Sequence, residues 1–233
     1  MGYVSSSSSS SGTLGTAPQL LNSSFESNDL VDVEGTSTTF YVLQQHQKNI
    51  DNWTTIFMTG HNRTFIIRDD DTTGFNFPTP FVDGSYCMGL GVNTTQYTGY
   101  LQQIITLPVN NYNLSWYDVL RTYSGMVSVP IRIKITKEAD STVIHTHEYF
   151  VTNTAWTEKT ISFSITEEAS YIVSFESYYI DNANTGQAGF DKVTFSIAPP
   201  PVENYHVDVS NSAFRLDSGD GTCFDEKPAV AFN

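Results

Sequence analysis

Two acidic residues stand in short apolar settings near opposite ends of the 233-residue chain. Glu26 closes the run Leu21-Asn22-Ser23-Ser24-Phe25-Glu26, and Asp191 lies within Gly189-Phe190-Asp191-Lys192-Val193-Thr194-Phe195. If both runs are strands and pair, the two carboxylates meet at one edge of a single β-domain. An oxygen-rich cation site is the chemistry such a pair supports. The competing arrangement has both carboxylates accepting backbone hydrogen bonds, or pairing with Lys192 or another base.

Other residue types carry less. His145 and His147 are two apart, so on a strand they share one face, as a metal pair does. No cysteine or acid at matching spacing completes a zinc set, so exposed strand histidines are expected. Asp69-Asp70-Asp71 and the Asp217 to Gly221 stretch lack the alternating ligands of an EF-hand loop and read as solvated turns. There is no Gly-x-Ser-x-Gly elbow and no Gly-rich phosphate loop before a helix. None of the many acids is singled out as half of a glycosidase pair. The expectation is a protein that is not an enzyme. A sugar site needs aromatic faces and a few polar groups to fix hydroxyls. Tyr117 falls on the opposite face from Trp116 in its strand, Arg121 and Tyr123 follow it, and Glu176 lies opposite Phe175. This set is the candidate ligand-binding group on an exposed sheet face. Tyr178 and Tyr179, beside the polar loop Asp181 to Asn184, are a second option.

The elements that must position these residues are short strands. Tyr112, Leu114 and Trp116 alternate with polar residues, as do Ile131, Ile133 and Ile135, then Ile161, Phe163 and Ile165, then Tyr171, Val173 and Phe175. Shorter β-type runs cover Thr38 to Leu43, Trp53 to Phe57, Thr64 to Arg68, Ser85 to Leu90 and Gly99 to Leu107. Period two at short spacing, with no sustained 3.6 period, predicts an antiparallel sandwich with one wet face per sheet. Charged residues are 15% of the chain against 13% aromatics, which suits that arrangement better than long solvated helices. Net charge is -14, and no basic patch offers a nucleic acid or an anionic membrane a partner. No apolar run approaches the roughly 18–20 residues of a membrane span.

Residues 1–17 form a Ser-rich tail with an unbroken serine run from Ser5 to Ser11. Pro199-Pro200-Pro201 opens a Pro-rich linker and C-terminal extension over 199–233. No secretory signal is visible at the start, and Gly2 fits only the loose myristoylation pattern. Cys87 and Cys223 are read as two thiols rather than a bridge. Sequons at Asn22, Asn52, Asn62, Asn93 and Asn113 match the number expected by chance in a chain so rich in Ser and Thr.

The order of features from about residue 19 to 198 resembles the galactose-binding-like superfamily, which includes many carbohydrate-binding modules. The features are Leu21-Asn22-x-x-Phe25-Glu26, Ile50-x-x-Trp53, Asp83-Gly84-Ser85-Tyr86, Gln103-x-Ile105-Thr106-Leu107, Tyr112-x-Leu114-Ser115-Trp116-Tyr117, Tyr171-x-Val173-x-Phe175 and Gly189-Phe190-Asp191-x-Val193. The resemblance implies an all-β fold, a single antiparallel jelly-roll β-sandwich over 18–198 with extended N- and C-terminal tails. It places Trp53 and Trp156 in the core. It also implies a structural calcium held by Glu26 and Asp191, with backbone carbonyls completing the shell.

Fold does not fix function. The tails and the lack of an active site suggest a structural component of a larger surface assembly, of virion minor capsid or coat type. Its partners would be other protein chains, and its place the virion or the cell surface. The alternative is a carbohydrate-binding module that recognises glycans on an exposed sheet face or loops.

Overall fold

Strands form where the sequence alternates β-branched or aromatic residues with polar ones. A computed structural model describes residues 16–28, 40–43, 50–55, 63–70, 76–92, 98–122, 128–180 and 186–199. Among these, ten strands occur: β1 (Phe40–Val42), β2 (Thr64–Arg68), β3 (Tyr86–Val92), β4 (Tyr100–Leu107), β5 (Asn110–Leu120), β6 (Val129–Lys137), β7 (Val143–Val151), β8 (Thr157–Ile165), β9 (Ala169–Ser177) and β10 (Gly186–Ile197). They build a six-stranded sheet ordered β1-β2-β3-β10-β5-β8 and a four-stranded sheet ordered β4-β9-β6-β7. Every pairing is antiparallel. From β3 to β6 each strand lies in the other sheet from its predecessor, and β8, β9 and β10 alternate likewise. That weave is a jelly-roll sandwich.

The alternating positions fill the space between the sheets. Ile131, Ile133 and Ile135 of β6 and Tyr112, Leu114 and Trp116 of β5 belong to one continuous core, together with Val173, Phe175 and Phe190. Each such side chain stabilises the fold by about 1.5–3 kcal/mol when removed from water. Trp116 is fully buried and Trp53 nearly so, against Phe25 and Phe175.

A second apolar layer covers part of the outer face of the six-stranded sheet. Phe65 and Ile67 of β2, Cys87 of β3 and Val119 of β5 lie under Phe77, Phe81 and Trp156. Trp156 Nε1 donates to Pro78 O at 2.8 Å, and Gly189 beneath it is small for a reason: a Cβ there would stand 3.1 Å from the indole. Two faces of β3 are thus covered, which explains its unbroken buried run. Cys223 lies outside the described residues.

The opening fragment differs from its expectation as a strand. Residues 21–24 form a turn, and Asn22 and Phe25 adopt φ of 50° and 61°. Positive φ interrupts an extended strand, and for a bulky residue such as Phe25 it is uncommon. The fragment still lies along β10, through Val193 N donating to Ser23 O at 2.9 Å. Trp53 to Phe57 is also not a strand over its described part: Trp53 and Thr54 make single bridges to Ile50 and Gln102.

Candidate functional site

Glu26 and Asp191 hold the same loop. Asp191 Oδ2 accepts from the backbone N–H of Val82 and of Asp83, both at 2.9 Å, and Oδ1 accepts from its neighbour Lys192 at 2.7 Å. Glu26 Oε1 accepts from Ser85 N at 2.9 Å and Tyr86 N at 2.8 Å. Gly84 lies between these donors with φ of 75°, and a Cβ on it would stand 2.3 Å from the Glu26 carboxylate. A bulge at Lys192, φ 51°, shifts the register between Asp191 and Thr194. It lets Asp191 face outward while Val193 and Phe195 return to the core. A calcium shell needs six to eight converging oxygens; what converges here is five N–H donors. Among the described residues no group of three or more His, Cys, Asp or Glu side chains could hold a metal ion. The five N–H donors make a hydrogen-bonded clasp on the loop.

The residues expected to line one ligand face are divided between the sheets. Tyr117 is on the outer side of β5, in the six-stranded sheet, and its hydroxyl donates to Glu158 at 3.3 Å. Arg121, just past β5, is held to Gln187 by its backbone N–H at 2.9 Å and by its guanidinium. Tyr123 lies outside the described residues. Glu176 belongs to β9 in the four-stranded sheet, so it shares no face with Tyr117. Alternation separates Tyr117 from Trp116 correctly; it carries no information on which sheet receives β9.

Around Glu176 the register assembles a group the sequence leaves dispersed. Tyr100 of β4 pairs with Glu176, Glu176 with Arg132 of β6, and Arg132 with Glu148 of β7. All four point outward, because their neighbours Leu101, Phe175, Ile131 and Ile133 are buried. A second row, Gln102, Ser174, Lys134 and Thr146, runs beside the first. On the other side Phe150 pairs with Pro130, whose carbonyl accepts from Tyr178 N at 3.1 Å. The face therefore carries an apolar and aromatic row, a charged row, and a polar row in which Lys134 is the one charged residue. Outer strands of a four-stranded sheet lie about 15 Å apart.

Arg132 organises the charged row. Its Nε is 2.5 Å from Glu148, its Nη1 is 3.3 Å from Glu176, and its guanidinium stacks over the Tyr178 ring at 4.5 Å. Lys134 Nζ is 3.7 Å from Glu176. Partial burial pulls the Arg132 pKa down, but Glu148 and Glu176 outweigh it and the guanidinium is held above its ordinary value. Two basic and two acidic groups cancel, leaving a polar face of no net charge. Burial, with help from Glu176, raises the Tyr100 hydroxyl above its usual value, against Ser174. It stays a donor, and donates a hydrogen bond to Gln102 Oε1 at 2.8 Å. Alternation of Arg132 and Lys134 with the β6 isoleucines was a visible signal that both face water. Their partners were not visible.

His145 and His147 do not behave as exposed strand histidines. Their register against Ile135 and Ile133 turns them to the inner side of β7, half-buried. His147 packs beside Tyr149 and Trp116, and His145 beside Phe163. Burial lowers the His145 pKa, with the neighbouring His147 adding to the effect.

No family model matches the chain, and no curated protein matches it. Solved structures resemble it in fold. The CBM22-1 xylan-binding domain of Xyn10C from Paenibacillus barcinonensis is 13% identical over 81% of this chain and 99% of its own, with a TM-score of 0.47. The K1 cleaved adhesin domain of Lys-gingipain from Porphyromonas gingivalis W83 is 12% identical over 79% of this chain and 100% of its own, with a TM-score of 0.47. The MgGH51 α-L-arabinofuranosidase is 17% identical over 80% of this chain at a TM-score of 0.46, but this chain spans only 27% of that enzyme. Further carbohydrate-binding modules are among the similar structures. At these identities the likeness is one of fold. No helix among the described residues is long and apolar enough to cross a membrane.

Proposed function

We propose that this chain is a non-catalytic carbohydrate-binding module, with the outer face of the four-stranded sheet as its glycan surface. The observation that carries this is the in-register row Tyr100, Glu176, Arg132 and Glu148, flanked by Tyr178. Sugars present hydroxyls to be fixed and C–H faces to be covered, and they are bound where a few ordered polar groups adjoin aromatic rings. Arg132, tied to two carboxylates, holds those acceptors in place before any ligand arrives, which lowers the ordering cost of binding. Both carboxylates on the face are engaged by one guanidinium rather than set on either side of an open cleft, as a glycosidase pair is. Such a module acts outside the cell or at its surface.

A glycan array followed by calorimetry tests the assignment. Glu176→Ala should lower affinity at least tenfold, while Tyr117→Ala, on the other sheet, should leave it unchanged. A loss confined to Tyr117→Ala would move the site to the six-stranded sheet. The reading as a virion or coat component rests on the tails, and residues 1–15 and 200–233 lie outside the described residues. Nothing among the described residues singles out a surface for assembly with other chains.

A further inference from the structure

Beside the candidate glycan face, at the free edge of β4, is a cavity of about 190 Å³ lined by Leu21, Asn52, Thr54, Gln102, Gln103 and Ile104. No lining residue is charged, in a chain with a net charge of -14. Hydrogen bonds join the segments that line it. The buried Gln103 amide closes a two-way clasp on Leu21, accepting from Leu21 N at 2.8 Å and donating to Leu21 O at 2.9 Å. Thr54 and Gln102 exchange both backbone bonds, at 2.8 and 2.9 Å. Trp53 Nε1 anchors the same segment on Asn22 O at 3.0 Å.

The Thr54 bridge also fixes what the edge offers. It shows that the N–H and C=O of Gln102 point away from β9. In an antiparallel ladder residues two apart share that direction, so Ile104 aims its N–H and C=O at the same edge, along the cavity wall. Leu21 and Ile104 remain 61% and 51% exposed, and they give the cavity two aliphatic sides that the fold does not use. Amide and hydroxyl groups with aliphatic walls match a ring that is polar at its rim and C–H on its faces. The volume is below the ~300–1,000 Å³ of sites for drug-sized ligands, which suits one ring and not a run of them. Gln102 and Ile104 share the outer side of β4 with Tyr100, whose partner across to β9 is Glu176.

We infer that this cavity is a chain-end subsite: it takes one terminal, uncharged sugar ring of a glycan whose following units lie across the four-stranded sheet. The inference rests on the carbohydrate-binding reading above and adds to it the ligand's end and charge. The full chain is tested with xylose, glucose, mannose and galactose oligosaccharides of two to six units, and with the long soluble polymer of each sugar at equal mass. The expected result is oligosaccharide binding that weakens at least tenfold for the polymer, in line with its scarcer ends. Ile104→Arg and Thr54→Trp, both at exposed positions, should each cost at least tenfold, as should Glu176→Ala. Equal binding of oligosaccharide and polymer per sugar unit, sensitive to Glu176→Ala but not to the two cavity variants, would overturn the subsite and leave the face standing. If none of these glycans binds, both fall.

Discussion

The Asp191 carboxyl is fully buried, and three backbone N–H groups favour its charge. Burial outweighs them and pushes its pKa up to about 7, against the pull of the Asp83, Lys192 and Val82 amides. A folded pKa above the unfolded value, ~3.9, means the native state binds the proton more tightly. The stability so gained is complete below pH ~4 and is lost as pH rises through about 7. Asp191→Asn should therefore flatten the fall in stability between pH 4 and 8, by about 2–4 kcal/mol in the difference between wild type and variant. Denaturant titrations across that range read it, and parallel curves would refute it. At Gly84 the argument is steric. With φ of 75° and a Cβ 2.3 Å from the Glu26 carboxylate, Gly84→Ala should cost about 1–3 kcal/mol in the same assay. A neutral result would show that Glu26 is not seated in the loop. Both residues were visible in the sequence as the ends of one domain. Backbone hydrogen bonding was one of two arrangements open to them, and the sequence could not choose it, because backbone amides have no residue type to recognise.

The elements meet at another buried acid. Asp118 of β5 is fully buried and accepts from Tyr149 of β7 at 2.7 Å and from Asn153, after β7, at 3.0 Å. Trp116 Nε1 donates to Tyr149 Oη at 2.9 Å. This group ties an edge strand of the four-stranded sheet to the interior of the other sheet. Burial raises the Asp118 pKa in spite of Tyr149, Asn153, Lys159 and Trp116, and it raises the Tyr149 hydroxyl well above its ordinary value. Tyr149→Phe keeps the ring but leaves a buried carboxylate and an indole N–H short of a partner. It should cost about 1–3 kcal/mol of unfolding free energy, and Asp118→Asn combined with it should cost less than the sum of the two. Strict additivity would mean that the pair is not coupled. Strand existence was legible here: β5, β6, β8 and β9 fall where alternation predicts them. The inward turn of His145 and His147 was not, because a strand with polar residues on both faces carries no pattern that says which side is the core.

At the scale of the molecule, the clasp through Glu26 and Asp191 and the polar face around Arg132 are separate devices on different sheets. If the clasp is hydrogen-bonded, as its five N–H donors indicate, removing divalent cations should not matter. Calorimetric melting with and without EDTA should give the same Tm; a chelator-dependent drop, restored by calcium, would require a bound ion. By itself the sequence determined the class of fold and most of its strands, since period-two alternation is a local property and each strand carries its own. It also determined the net charge of -14, since charge is additive along the chain. Only the tertiary structure decided which strands share a sheet, and with that which residues stand together on the candidate face. Tyr100, Arg132, Glu148 and Glu176 come from four different strands, and Tyr117 was parted from Glu176 by the same pairing. Cross-strand register is set by packing between residues far apart in the chain, so no window of sequence contains it.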